Sequence, residues 1–522
     1  MGLTGISPTR RTPGDLREFF FATGPGTASS ARDVLIYGNK TSAGSETVEV
    51  IGTPILDLND AALRLGRRSE AYHEYRLASA ADVTSNYYVC VVAEGAGSAA
   101  SVVVSFGAAV TDVATDTTTC TLEFQGESTG FTVATGDTME TVAANATAAW
   151  NAASDGTWMA TAAQGTTTNA YKMTITGTQL GVRLNSLFSN SLRVTFGKDV
   201  GPDVSIGSVT AGATDDDFTN AYAAASMGEY FDQINPKYST SAPSSSDGGV
   251  GEGILYLRTQ NLPINGKLQR MHFGLTGTQA QATTVVTDDD ANSVLAFFYH
   301  AEDSDWSAAM IAAHMCGIVH SQEQAHPSAN LTGYHSSDKT IMLGPPDPHD
   351  KSDRPTAVEI ELDLANGIVP IAYTSKGSPY IVRHINSYNV GPSSSKDYRA
   401  SEGHTTSAIA YAWDLAKARW LAEKQPFCAD DPPAGAKPTM ATSTPSQLKA
   451  LLNGVIDDLT SSSPLGLFNG PILSPSPADI QSMRDSIAVS KVPGGFNVAV
   501  AFKAVEHNLK SAWQIRQTNV AY

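Results

Sequence analysis

Three uninterrupted apolar runs constrain this chain more than any other feature: Asp33–Tyr37 (DVLIY), Tyr87–Ala93 (YYVCVVA) and the VLAFFYH stretch within Ser293–His300. A strand with one wet face alternates apolar and polar residues. A strand that is apolar throughout has both faces covered, as in a parallel sheet layered between helices. Between the first two runs, Asp57–Ala80 carries Leu58, Ala61, Ala62, Leu65, Tyr72 and Leu77 at helical spacing, and Val48–Ile51 reads as a further short strand. Strand, helix and strand in that order predict an α/β layer. At 522 residues the chain is too long for one core, so two to four domains are expected.

The composition changes from about Gly95 to Gly197, which is rich in Thr, Ala and Gly. Short alternating stretches there predict strands at Ser101–Phe106, Thr119–Phe124, Gly130–Ala134, Met159–Ala163, Lys172–Thr176 and Leu192–Phe196. One helix interrupts them. Asp137-Thr138-Met139-Glu140 resembles a capping box, and Met139, Val142, Ala143, Ala146 and Trp150 form one apolar stripe behind it. The α/β pattern then resumes, so this small β-rich unit reads as an insertion.

Downstream, Asp215–Asp217 would cap a helix running to Met227, followed by a strand at Glu229–Ile234, a loop at Ser239–Gly253, and strands at Leu268–Leu275 and Ala282–Val286. Trp306–His320 reads as a helix with Trp306, Met310, Ala313 and Gly317 in one stripe. Val358–Ala365 is a helix, and Ile368–Thr374 with Tyr380–Tyr388 predict a hairpin. Gly391–Lys396 is a linker. Helices are expected at Thr405–Glu423 (Ile409, Trp413, Ala416, Trp420 and Leu421 inward), Pro445–Leu459 behind a Thr444 cap, and Pro477–Ile487.

Both ends look like strands in want of a partner. Phe496, Val498, Val500 and Phe502 alternate with small or polar residues, and the last ten residues repeat the alternation through Trp513, Ile515 and Val520. Near the start, Phe19-Phe20-Phe21 forms a short extended stretch behind a lead punctuated by Pro8, Arg10, Arg11 and Pro13. Free strands are templates for pairing, either at home or with another chain.

A formal charge of −18 and a charged fraction of only 16% speak against nonspecific nucleic-acid binding, which needs a basic surface. The low charged fraction suits a protein largely covered by its neighbours or a β-rich secreted one, and the net charge suits solubility and repulsion between copies. Cys90, Cys120, Cys316 and Cys428 are widely spaced without a CxxC, so buried free thiols made in a reducing compartment are expected rather than disulfides or zinc. The start shows no secretory signal, and no run of 18 apolar residues offers a membrane span.

No nucleotide, hydrolase or metalloprotease motif is present. His314, Cys316, His320 and His326 form the densest histidine region, yet spacings of six do not stack side chains on one helix face. The triplets Asp215–Asp217 and Asp288–Asp290 could ligate a hard cation, although capping explains them at less cost. Glu359 and Glu361 read as ordinary surface charge. No catalytic, cofactor or metal site is expected.

The order of the pieces is similar to that of the contractile phage tail sheath proteins, specifically the Mu-like family. The resemblance runs through CTLEFQGESTGFTVATGDTMETVAANATAAWNAASDGTWMATAAQG and YKMTITGTQLGVRLNSL, with Gly181 and Asn185 near the expected Gly and Asn. It continues through Leu65-Gly66-Arg67-Arg68-Ser69 (Arg68 where a Gly is usual), the Ala-rich helix Trp306–Met315, Asn366-Gly367-Ile368, and Tyr380–Tyr388, which departs at Asn386-Ser387.

The resemblance implies an α/β multidomain fold. Its parts would be an N-terminal arm (1–22), a middle α/β domain (23–94 plus 198–390), an inserted peripheral β-rich domain (95–197) and an inner α+β tube-facing domain (391–522) ending in a C-terminal arm. It implies a non-enzymatic structural protein of the virion tail, made and assembled in the host bacterial cytoplasm and working in genome ejection or a related contractile injection system. Partners would be copies of itself in stacked hexameric rings, a tail tube protein, and baseplate and terminator proteins, with no direct nucleic acid and no membrane insertion. Inter-subunit strand exchange would use Phe19, Phe20, Phe21, Phe496, Val498, Val500, Phe502, Trp513, Ile515 and Val520. Two other classes fit the residues less well: a static shell, surface-layer or capsid-associated protein, and a metal-dependent hydrolase using His314, His320 and His326.

Overall fold

A computed structural model describes residues 33–95, 97–153, 158–181, 184–213, 216–228, 230–235, 250–261, 268–286, 295–329, 331–333, 344–388, 403–423, 444–492 and 495–505. The expectations for Phe19–Phe21, Asp288–Asp290, the Gly391–Lys396 linker, Cys428, Trp513, Ile515 and Val520 fall outside these residues.

The continuous apolar runs become strands of one sheet, as their composition demands. β1 (Val34–Gly38), α1 (Leu58–Leu65), α2 (Glu70–Ala81) and β2 (Tyr87–Val91) open the α/β unit. The inserted unit holds β3 (Ala99–Phe106), β4 (Thr118–Phe124), β5 (Glu127–Val133), α3 (Met139–Ala152), β6 (Ala160–Gln164), β7 (Lys172–Leu180), α4 (Asn185–Ser191), β8 (Arg193–Phe196) and β9 (Val204–Ile206). The α/β unit resumes with α5 (Thr219–Ala225), β10 (Asp232–Asn235), α6 (Val250–Gln260), β11 (Arg270–Leu275), α7 (Gln279–Val286), β12 (Ala296–His300), α8 (Ala308–Ala325), α9 (Ala357–Ala365), β13 (Val369–Tyr373) and β14 (Pro379–Ile381). A C-terminal unit follows, of α10 (Gly403–Glu423), α11 (Pro445–Leu459), α12 (Pro477–Asp485), β15 (Ala488–Val492) and β16 (Gly495–Ala499).

The seven-stranded sheet has the order β14-β13-β12-β11-β10-β1-β2 and is parallel except for the β13–β14 hairpin. Period-two alternation splits each strand between two covered faces. Val34 and Ile36 pack with α2 and α8, whereas Leu35 and Tyr37 pack with α5, α6 and α7. α8 runs closely against α2: a Cβ added at Gly317 would lie 2.5 Å from the Ala78 carbonyl oxygen, so only glycine permits this approach.

The insert contains two antiparallel sheets, β6-β7-β3-β9 and β5-β4-β8. The whole stripe read from sequence, Met139, Val142, Ala143, Ala146 and Trp150, is buried beneath α3. Trp150, Trp158 and Phe124 meet there ring to ring. Its cap differs from expectation. Thr138 accepts from the Thr141 N–H, while Asp137 accepts from the Ala134 N–H and closes the preceding turn. The ends of the insert leave the frame side by side, where Ala93 bridges Asp217 and the Gly95 N–H donates to Asp216. Its apolar core is continuous with that of the α/β unit through Trp306, Met310 and Met315.

Arg68, the departure from the sheath pattern, has a structural account. Its guanidinium donates to the carbonyls of Asn151, Trp158 and Ala160 at 2.7–3.0 Å. It pins the insert to the frame from the turn between α1 and α2.

Several expectations are corrected. The stretch Asp57–Ala80 is two helices, broken where Gly66 adopts φ 83°, a conformation that suits glycine. Val48–Ile51 is not a strand; Glu49 turns at φ 58°, and Ile51 and Ile55 make single bridges to Cys90 and Tyr87. Ala282–Val286 lies in helix α7, its Val285 and Val286 serving the core despite their strand propensity. The latter part of Ser239–Gly253 begins helix α6, with Val250 and Ile254 buried. In α10 the inward face is Ala408, Tyr411, Ala412, Leu415 and Ala416, rotated from the expected set; Ile409 and Trp413 are only partly buried. Glu359 is no idle charge: it completes a capping box with Thr356.

Candidate functional site

The densest group of buried ionisable side chains lies between the centre of the sheet and α8. β10 opens with Asp232, and β11 places Arg270 and His272 two residues apart on one face. α8 brings His320 and Glu323, three residues apart and therefore neighbours on the helix. All five are buried.

Asp232 is the hub. Its Oδ1 accepts from Arg270 Nε and from His272 Nε2 at 2.9 Å. Its Oδ2 accepts from Arg270 Nη2 at 3.2 Å and from His320 Nδ1 at 2.6 Å. Arg270 also forks onto both Glu323 oxygens, with Nη1 to Oε1 at 3.1 Å. The guanidinium carbon sits 4.5 Å from the Phe231 ring centroid and 5.5 Å from that of Phe297. A second chain leaves His272. Its Nδ1 lies 2.9 Å from the Tyr299 hydroxyl, which lies 3.2 Å from His384 Nε2. With His272 Nε2 donating to the carboxylate, Tyr299 donates to His272 Nδ1 and accepts from His384.

Burial by itself would push the Asp232 carboxyl up, but the Arg270 charge and the two imidazole hydrogen bonds win and hold it well below the carboxylate range. Desolvation pushes Glu323 up, against the pull of Arg270. Desolvation lowers His272, and it lowers His384 further, with Arg270 adding to the effect.

Acid should therefore weaken the fold. A histidine lowered in the native state contributes stability that is complete above its unfolded value near 6.5 and is lost as pH falls through the native one. His272 and His384 both have that sign. Asp232 adds a loss at lower pH, below about 4. His300, raised because its hydrogen bond and attraction to Asp363 overcome burial, has the opposite sign; its contribution is already complete below 6.5 and falls away at higher pH. Urea midpoints are expected to drop steadily from pH 6.5 to 5, each unprotonated histidine contributing a slope of about 1.4 kcal/mol per pH unit. Glu323, raised by burial, has the opposite sign, so a flat profile over that window in Glu323→Gln protein would contradict neutral His272 and His384.

The cluster does not suit a metal. Ligand-type atoms of Asp232, His272 and Cys316 lie within 4.8 Å of one another. Yet the four acceptor positions of Asp232 are taken by four donors. The Cys316 thiol is pushed well up by burial, so the thiolate a metal would need is disfavoured. The expected histidine region is also dispersed. His314 Nδ1 faces the Leu77 carbonyl at 3.3 Å, His326 Nε2 faces the Gly470 carbonyl at 3.2 Å, and only His320 joins the cluster. This dispersal overturns a metal site of His314, His320 and His326. Asp217 accepts from the Thr219 N–H and closes a turn, and Asp216 holds Gly95; the expected cap is corrected, since the N-cap of α5 is Phe218, which makes no side-chain cap bond.

The C-terminal segment has a partner of its own. Phe496 and Val498 lie in β16, which pairs antiparallel with β15, Lys491 opposite Phe496 and Val489 opposite Val498. Val498 and Val500 are half-buried against the C-terminal core, and Phe502 belongs to it, meeting Trp413 edge to face. The expectation of an unpartnered segment is corrected for these residues. β15 and β16 stay in register from Ala488 opposite Ala499 to Val492 opposite Gly495, and Val489, Val498 and Val500 pack against the C-terminal core. The resulting sheet has two strands among the described residues, so a third strand could join it.

The fold is thus a multidomain α/β protein whose buried polar cluster is built to hold structure. No protein-family model matches the sequence, and no curated protein sequence is significantly similar to it. Among solved structures, the chain is similar to a sheath tail protein of Desulfitobacterium hafniense (TM-score 0.45, 10% identity, covering 94% of this chain and 100% of that one). It is also similar to a sheath tail protein of Listeria innocua (TM-score 0.45, 12% identity, covering 92% and 97%). A third is a chain in the cryo-EM structure of the anti-feeding prophage baseplate (TM-score 0.46, 10% identity, covering 98% and 100%). Likenesses of this extent do not assign a family. No helix among the described residues is long and apolar enough to cross a membrane.

Proposed function

We propose that this chain is the structural subunit of a contractile tail sheath, polymerising around a tail tube and shortening to drive the tube through a target envelope. The observation that carries the reading is the two-stranded β15–β16 sheet, followed by a chain end that alternates apolar and polar residues through Trp513, Ile515 and Val520. Two strands alone make a marginal sheet, and each open edge is a site for strand addition. Backbone hydrogen bonds formed this way tolerate rotation between subunits better than side-chain contacts do. The ordered resemblance to the Mu-like pattern, from the insert to the β13–β14 hairpin, supports the same reading.

In this proposal residues 391–522 face the tube, the α/β unit forms the middle layer and residues 95–197 lie at the periphery. The N-terminal segment with Phe19–Phe21 is the second arm. Tube, baseplate and terminator proteins are the partners, and the virion tail or a related injection apparatus is the location. The sheath stores its energy at assembly as one of two packings, so no nucleotide is consumed.

Negative-stain electron microscopy of the purified full chain tests the class. Long striated hollow cylinders are expected, in two pitches when extended and contracted forms are both captured. A single fixed lattice would favour a static shell, and the absence of any polymer at high concentration would refute the proposal.

A further inference from the structure

The three parts of the chain are joined in two different ways. The insert shares one apolar core with the α/β unit. The C-terminal unit has a core of its own, from Ala408 to Ala504, with no residue in common with the others. Among the described residues, hydrogen bonds cross the seam. The Gly403 N–H donates to the His384 carbonyl at 3.1 Å, the Ser328 hydroxyl donates to the Ile472 carbonyl at 2.8 Å, and His326 reaches the Gly470 carbonyl and touches the Phe468 ring.

A small cavity lies in the same seam. It has a volume of about 10 Å³ and is lined by His320 and Glu323 from the buried cluster and by Ser407 and Tyr411 from α10. That volume is at the lower limit of what admits one water. His320 spends Nδ1 on Asp232, while its Nε2 is buried and meets no hydrogen-bond partner among the described residues. An orphaned ring nitrogen costs about 1–3 kcal/mol unless something bonds to it, and the polar lining offers a single water two further partners.

We propose that the chain is articulated at this seam: the C-terminal unit and the α/β unit are separate bodies, coupled by a one-water site that bridges His320 Nε2 to the hydroxyls of Ser407 and Tyr411. The groups facing His320 are Asp232 from β10, Arg270 and His272 from β11, Glu323 from α8 itself, Asp33 ahead of β1 and Tyr411 from α10. The site thus joins the charged cluster to α10 of the C-terminal unit. Apolar interfaces open only by exposing surface to water, whereas a thin polar seam exchanges its hydrogen bonds for water at small cost. The inference concerns the isolated chain and does not depend on what the chain assembles into.

Hydrogen–deuterium exchange on the full chain at low concentration provides the test. The Gly403 amide is expected to exchange about a hundredfold faster than amides inside β11 and α11, because the seam opens without unfolding either body. Ser407→Ala and Tyr411→Phe are each expected to speed exchange at the seam about three- to tenfold while β11 keeps its protection. Wild-type protein in which Gly403, β11 and α11 exchange together would show one cooperative body and overturn the articulation. Variants that leave seam exchange unchanged would remove the water bridge.

Discussion

Replacing Asp232 by asparagine is expected to destabilise the α/β unit by about 3–5 kcal/mol, the usual cost of breaking a buried ionic group by removing one partner. The carboxylate accepts four hydrogen bonds, two from Arg270 and one each from His272 and His320. An amide keeps one acceptor oxygen and turns an NH₂ group toward donors. Arg270 would keep one of its two bonds to this position beside its fork onto Glu323, and one imidazole would lose its acceptor. Glu323→Gln should cost less, because Arg270 then keeps its full fork to Asp232. The two effects should be non-additive, since both carboxylates share one guanidinium. Urea denaturation of the two single variants and the double variant measures the coupling. An Asp232→Asn cost below about 1 kcal/mol would mean that the cluster is hydrated in solution.

The second large effect concerns assembly. Deleting Trp513–Tyr522 is expected to leave a folded monomer that forms no polymer. The core of the C-terminal unit is complete by Ala504 within the described residues, so truncation should spare the thermal transition. Strand addition would lose its donor entirely, which makes the result all-or-none. Cylinders formed by the shortened chain would contradict the proposed role of this end. Unfolding of the shortened chain would show instead that these residues belong to its own core.

Much of the architecture could be read from periodicity. The α3 stripe is buried residue for residue, and the apolar runs at Val34, Tyr87 and Ala296 are strands of the parallel sheet. These signals are local, so one chain segment carries each of them. What escaped was set at long range. Val285 and Val286 prefer strands in isolation, but α7 sits on a sheet face that calls for a helix. The charged cluster escaped because its members come from segments 38, 53 and 88 residues apart. One clue was present: Arg270 and His272 interrupt a strand whose other residues are apolar, on the same face. Charges at that spacing inside a buried strand require buried partners, although the identity of the partners lies elsewhere in the chain. The strand expected over Phe496–Phe502 forms only as far as Ala499, and periodicity could not say that β15 would be its neighbour.

The parallel sheet also carries a consequence for biosynthesis. Tyr37 on β1 donates its hydroxyl hydrogen to Gln233 on β10, 196 residues later. At about 5–20 residues per second, a nascent β1–β2 pair would leave the ribosome many seconds before its central neighbour exists. The insert is translated in that interval, and its hairpins close over short distances. Once folded, its adjacent ends at Ala93 and Asp217 would deliver the newly made β10 beside the waiting β1. The inserted unit would thus act as a timing clasp during translation, its paired ends bringing the later strands back to the earlier ones.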